Sequence, residues 1–140
     1  MRTVMVAIAA LAFAGAACAA GAPQISGQPL ANTNKTNEGQ IITAPLHPNV
    51  VASITTFPPG AETPVHKHRY PHYVYVMEGT LTVTNLETGK TFQAKQGQFI
   101  VEMMNVWHKG KNEGTTPVKL LVIDQLPTGV ANNMVVKTGQ

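Results

Sequence analysis

From about residue 41 onward the chain alternates between short apolar runs and turn-forming residues. The runs are rich in the β-branched and aromatic residues that suit pleated, half-buried strands. No window outside the N-terminal segment has a helical period, so the pattern predicts an all-β sandwich or barrel. The predicted strands are 41–43, 50–57, 73–78, 80–86, 90–95, 97–102 and 118–126, with a hairpin turn at 87–89.

The N-terminal segment has the features of a cleavable export signal over residues 1–20. Arg2 supplies a positive charge, residues 4–14 are almost entirely apolar, and small residues follow. The apolar stretch is too short to span a bilayer comfortably, because a transmembrane helix needs around 20 residues. We therefore expect cleavage after Ala19 or Ala20 and a periplasmic or secreted protein, without a membrane span.

Cys18 is the only cysteine and lies inside this signal. An alternative interpretation is a lipoprotein signal with a lipid anchor on Cys18, although Gly15 stands where a large aliphatic residue is preferred. In either case the domain that follows the signal has no cysteine for a disulfide.

Composition divides the remainder into three parts. Residues 21–40 are rich in Asn, Thr, Gly and Gln and predict a flexible tether; residues 41–126 form the barrel, and 127–140 a C-terminal tail. Ten Lys and Arg against seven Asp and Glu give a net charge of +3, without a concentrated basic stripe. Nucleic acid is therefore not an expected partner.

The spacing of four histidines is the most informative chemical feature. Side chains alternate along a strand, so His66, His68 and His72 share one face if the strand continues through them. Pro71 could bend the chain and change this parity. Imidazole is the commonest side-chain ligand of first-row transition metals, and His108 arrives from a separate strand. The pattern predicts a metal site made of these four histidines.

The same residues resemble the two cupin motifs. In the first, Gly60 is followed by five residues, His66, Lys67, His68, three residues, His72, six residues and Gly79. In the second, Gly97 is followed by ten residues, His108, three residues and Asn112. Three positions depart from the family pattern, because His72 replaces a glutamate, Met103 a proline and Asn105 a glycine. Small bacterial cupins with four histidine ligands carry the first exchange. Three nearby carboxylates have no position in either motif: Glu62, Glu78 and Glu102.

This resemblance implies a cupin double-stranded β-helix, a small jelly-roll barrel, with one divalent transition metal held by His66, His68, His72 and His108. Mn, Fe, Ni, Cu and Zn all suit such ligands, so the metal is left open. Four neutral ligands would leave the metal its full formal charge.

The resemblance also implies a metal-dependent dioxygenase or oxidoreductase acting on a small organic molecule, with no catalytic residue assigned beyond the ligands. Two alternatives stay open: a non-catalytic metal- or ligand-binding barrel, and a metal-dependent isomerase or lyase. The oligomeric state is also open, with a homodimer among the alternatives.

Overall fold

The computed structural model describes residues 23–139, and this part of the chain is built from nine β-strands without a helix. Within these residues no helix is therefore long and apolar enough to cross a membrane. The predicted signal and Cys18 lie outside the described residues. The strands are β1 (Asn49–Phe57), β2 (His66–His68), β3 (His72–Glu78), β4 (Thr80–Asn85), β5 (Thr91–Lys95), β6 (Phe99–Val101), β7 (His108–Lys111), β8 (Val118–Leu126) and β9 (Met134–Val136).

The strands form two antiparallel sheets, and most strands that are neighbours in a sheet are not neighbours in the sequence. One sheet has the order β1-β8-β3-β6 and the other β5-β4-β7-β2-β9. Consecutive strands therefore seldom pair, except in the β4–β5 hairpin. The predicted all-β jelly-roll barrel is confirmed by this arrangement.

Buried aliphatic side chains from both sheets meet in one core. Val74 and Val76 of β3 are 1% and 0% exposed. The cluster also contains residues of β4, β5 and β8, with Met103 between β6 and β7: Leu81, Val83, Ala94, Met103, Val118, Leu120 and Val122. The alternating burial of β4 and β8 is the period-two pattern of a strand with one buried face.

The glycines of the two motifs have backbone conformations with positive φ, which other residues rarely adopt. Gly60, Gly79 and Gly97 all have φ near +80°. At Gly79 a Cβ atom would also lie 2.9 Å from the Val118 side chain. Asn105, which replaces a motif glycine, has a φ of 57°, and asparagine tolerates this left-handed region better than most residues. The exchange therefore preserves the turn.

The strand expected to run through His66, His68 and His72 is interrupted. β2 ends at His68 and pairs with β7 and β9, whereas β3 begins at His72 and pairs with β6 and β8 in the other sheet. The buried Pro71, which lacks a backbone N–H, precedes β3. The three histidines therefore converge through a change of sheet, and the continuous strand on which their shared face was conditional does not form.

Both segments flanking the predicted barrel contribute to the folded domain. Gln40 donates to the Met104 carbonyl at 2.8 Å and accepts from the Met104 N–H at 2.8 Å. Residues 41–43 form no strand, and Ile41 makes only an isolated bridge to Lys35. β9 lies inside the segment predicted to be a tail, and its three residues pair with β2.

Candidate metal centre

Three of the four predicted ligands meet in a buried group at one end of the barrel. His66 and His68 come from β2 and His108 from β7, and the register places His66 directly opposite His108. One ligand atom from each, together with one carboxylate oxygen of Glu102, lies within 4.8 Å of all the others. The four side chains therefore form a group of the size and chemistry that holds a metal ion.

Backbone carbonyls orient two of the imidazoles. The Nδ1 of His66 donates to the Pro64 carbonyl at 2.8 Å, and the Nδ1 of His108 donates to the Val106 carbonyl at 2.8 Å. A neutral ring with its proton on Nδ1 has its lone pair on Nε2. Each contact thus directs Nε2 toward a metal, as partners of metal-binding histidines commonly do.

Glu102 is the member of the group that the sequence analysis left outside both motifs. Its Oε2 lies 3.1 Å from His68 Nε2 and 3.2 Å from His108 Nε2, and the residue is only 5% exposed. Neighbouring ligands about 2.1 Å from a metal and at right angles are about 3 Å apart. These distances therefore suit a shared metal as well as an ion pair.

A sequence signal for Glu102 does exist. Val101 and Met103 flank it, and both are buried. A carboxylate inside an apolar run must be paired or bound to a metal to be stable there. The motif comparison missed this signal because the family carboxylate stands elsewhere.

The electrostatics favour neutral His66 and His68 rings beside an ionised Glu102. Burial lowers the pKa of His66 to about 4, with smaller contributions from His108 and His68, so this ring is neutral at pH 7. Burial also lowers the pKa of His68, against the hydrogen bond to Glu102. Burial opposes ionisation of Glu102, but its contacts with His108 and His68 lower its pKa well below the ordinary value. For His108, the contact with Glu102 outweighs burial and raises the pKa.

Among the side chains of residues 23–139, two buried nitrogen atoms have no hydrogen-bond partner, namely His68 Nδ1 and His108 Nε2. His108 Nε2 lies 3.2 Å from Glu102 Oε2, but the contact lacks the geometry of a hydrogen bond. A buried polar atom without a partner costs roughly 1–3 kcal/mol. A metal bound to His108 Nε2 would remove that cost, and the residues present therefore fit a divalent transition metal.

His72, the fourth predicted ligand, lies beside this group in a different arrangement. Its ring stacks on His68 with centroids 3.8 Å apart and planes 6° from parallel. Its Nδ1 donates to Asp124 Oδ1 at 2.7 Å, and Asp124 also accepts from Asn133 Nδ2 at 2.6 Å. The His72 contact lowers the pKa of Asp124 against the effect of burial. The role of His72 as a ligand stays a prediction, with Nε2 as its donor atom.

A cavity of about 110 Å³ opens beside the histidines. His72 and the whole group of four line it, so the site faces an internal space. Most other lining residues are apolar, and the complete lining is Thr55, Phe57, Thr63, His66, His68, His72, Val74, Leu81, Glu102, His108, Gly110, Leu120, Val122 and Met134.

Two further motif residues have structural roles outside the cavity. The buried Asn112 donates to the Phe57 and Thr116 carbonyls and accepts from the Gly114 N–H, so it fixes the turn that follows β7. Trp107 does not line the cavity, and the Lys67 ammonium lies 4.7 Å from its ring centroid.

Comparisons with known proteins agree with this architecture. Residues 53–124 match the family model described as the cupin domain. An uncharacterised protein of Methanocaldococcus jannaschii is 32% identical over 99 residues, which cover 66% of this chain and 78% of that protein. Auxin-binding protein 1 of Arabidopsis thaliana is 32% identical over 81 residues, which cover 53% of this chain and 41% of the relative.

Among solved structures, a polyketide cyclase from Streptomyces resistomycificus superposes with a TM-score of 0.52 at 21% identity. The match covers 64% of this chain and 63% of that one, and it shows a shared fold. The family model spans both histidine-bearing motifs and about half of the chain, and its fold is the one described above. The chain therefore belongs to the cupin family.

Proposed function

We propose that this protein is a metal-dependent oxidoreductase of the dioxygenase type that acts on a small organic molecule. The observation that carries the proposal is the buried group of three imidazoles and one carboxylate beside a cavity. Burial of such a group without a metal costs free energy, and the adjacent cavity leaves room for a substrate beside the metal.

The metal would be held by Nε2 of His66, His68 and His108 and by a carboxylate oxygen of Glu102. His72 would be an additional ligand through Nε2, because Asp124 occupies only its Nδ1. Glu102 changes the expected charge of the site, since four neutral ligands would have left the metal its full charge. With the carboxylate, the four donors of the buried group are three histidines and one glutamate, and the glutamate directly follows β6 instead of standing at the motif position.

The bound metal would supply Lewis-acid or redox activation of a substrate donor atom. The surrounding residues prepare the cavity for that chemistry. The Pro64 and Val106 carbonyls hold two rings in the required tautomer, and Val74 and Val122 present apolar surface that excludes water. The Asp124 carboxylate orients His72.

The test begins with protein purified from its native compartment and analysed for metal by mass spectrometry. We expect about one transition metal per chain and substrate-dependent oxygen uptake across a panel of small organic molecules. His108→Ala should lack both metal and activity. Lys109→Ala is the matched control, because Lys109 is next to His108 on β7 but does not line the cavity, and it should keep both. Absence of metal from wild-type protein would overturn the proposal.

Other outcomes separate the remaining functions. Stoichiometric metal without exchangeable water or turnover would indicate a non-catalytic binding barrel. Turnover without oxygen uptake would indicate the isomerase or lyase alternative.

We also propose, from the sequence alone, that the protein is exported and that its mature chain begins at or near Ala20. Intact-mass measurement on the exported protein tests this. Retention of Met1 would contradict it, and a diacylated Cys18 would identify a lipoprotein instead.

A further inference from the structure

We infer that Met134, carried by the C-terminal strand β9, is the residue that limits the cavity to a compact, largely apolar ligand of about benzene size. The inference rests on the proposed function in that the ligand would occupy the same cavity as the metal. It assigns the specificity of the site to a segment outside the two histidine motifs.

The volume of the cavity sets the size of the ligand. The cavity measures about 110 Å³. An engineered apolar cavity of about 150 Å³ binds benzene, so a space of about 110 Å³ accommodates at most a compact ligand of roughly six non-hydrogen atoms. A sugar phosphate or a bicyclic compound would require a wall to move.

The lining sets the chemistry of the ligand. Among the described residues, no lysine or arginine lines the cavity, and its ionisable side chains are the four histidines and Glu102. A multiply charged anion would therefore have no cationic side chain of its own, and burial of an unpaired charge is costly. The remaining surface comes mainly from aliphatic and aromatic groups, so the ligand is expected to combine one donor group with an apolar body.

β9 is fixed directly beside the histidines of β2. In the register, Met134 stands opposite His68 and Val136 stands opposite His66. Asn133 anchors the start of β9, since it accepts from the Tyr70 N–H at 2.9 Å and donates to the Tyr70 carbonyl at 3.0 Å. The Lys137 N–H donates to the Val65 carbonyl at 2.9 Å and closes the other end.

These contacts place one flexible side chain in the wall of a rigid site. Met134 lines the cavity, whereas Val136, two residues further along β9, is 46% exposed and does not. A methionine side chain is unbranched and fills irregular gaps, so its removal enlarges the space without disturbing a backbone hydrogen bond. Met134 thus differs from the histidines, whose replacement would remove the metal.

The first experiment measures cavity size without a metal. Metal-free wild type, Met134→Ala and Val136→Ala are titrated with benzene and with indole, and methyl chemical shifts of Val74, Leu81 and Leu120 are followed by NMR. We expect benzene to shift these methyl groups in all three proteins. The affinity for indole obtained from these shifts should be at least tenfold higher in Met134→Ala than in wild type or Val136→Ala.

The second experiment repeats the comparison at the metal. Proteins loaded with Co²⁺ are titrated with acetohydroxamate and benzohydroxamate, which share one chelating group and differ in a methyl or phenyl substituent. The visible Co²⁺ spectrum reports binding. We expect wild type to favour acetohydroxamate by at least tenfold, and Met134→Ala to reduce this preference to less than threefold.

Equal binding of both probe sizes by wild type, or an unchanged preference in Met134→Ala, would overturn the inference. Failure to bind Co²⁺ would instead contradict the proposed metal site, while the NMR titration still decides the role of Met134. Met134→Leu, which conserves volume, should behave as wild type and guards against an effect of general loosening.

Discussion

The interior of this barrel has an apolar half and a polar half, and β3 contributes to both. Val76 is completely buried among aliphatic side chains, whereas His72, four residues earlier on the same strand, contacts Asp124 and His68. Packing alone accounts for the apolar half. The polar half contains buried nitrogen atoms without partners, so it is complete only when something binds there.

This difference separates what folds the protein from what the protein does. The apolar half gains free energy from burial in the absence of any ligand. The polar half buries three imidazoles and a carboxylate, which favours folding less than apolar packing of the same volume would. Substitutions in the polar half should therefore change how much a metal stabilises the protein, whereas substitutions in the apolar half should not.

The largest effect is expected when one histidine of the buried group is removed. His66→Ala, His68→Ala and His108→Ala should each lower metal affinity by more than about a hundredfold, because loss of mere outer partners already costs 10–100-fold. Competition with a chelating dye measures this. Unchanged affinity in all three variants would remove the metal site.

The apolar half should respond in the opposite way. Val76→Ala should lower the free energy of unfolding by about 2 kcal/mol through lost burial and an unfilled space. Metal affinity should change less than threefold. Urea denaturation with and without a chelator checks both, and a loss that appears only with metal present would contradict the separation of the two halves.

His72 tests the border between the halves. His72→Ala should lower metal affinity by about tenfold, less than the other histidines, because its ring lies outside the group of four. Asp124→Asn should produce a smaller loss in the same direction, since it weakens the contact that orients the ring. Equal losses for His72→Ala and His108→Ala would make His72 a full ligand.

The smallest effect concerns the pH dependence of the metal-free protein. The pKa of His66 is lowered from 6.5 to about 4, so its contribution to stability is present above pH 6.5 and is lost as pH falls toward 4. Alone it would amount to about 3 kcal/mol, but the raised pKa of His108 acts in the opposite direction. The lowered pKa of His68 adds to the loss, so a net loss of stability is expected as pH falls.

Thermal unfolding of chelator-treated protein between pH 7 and pH 4 measures this loss. His66→Gln should flatten the dependence, because glutamine does not titrate. A wild-type profile that rises as pH falls through this range would contradict the assignment.

Much of the fold could be predicted from local pattern. Strands near residues 50–57, 73–78, 80–86, 90–95 and 118–126 were expected and occur with small changes in their ends. β7 and β9 escaped prediction because they are short: HKGK has no apolar alternation, and β9 exposes one of its three residues. Such strands are stabilised by their neighbours and carry little signal of their own.

The sequence by itself determined the all-β architecture, the cupin motifs and the candidacy of the four histidines, because period-two alternation and motif spacing are local properties. Only the tertiary structure decided that β2 and β3 belong to different sheets, that Glu102 joins the histidines, and that Met134 lines the cavity. Each of these depends on contacts between residues far apart in the chain. Their meeting is fixed by the crossing order of the strands, which no local pattern encodes.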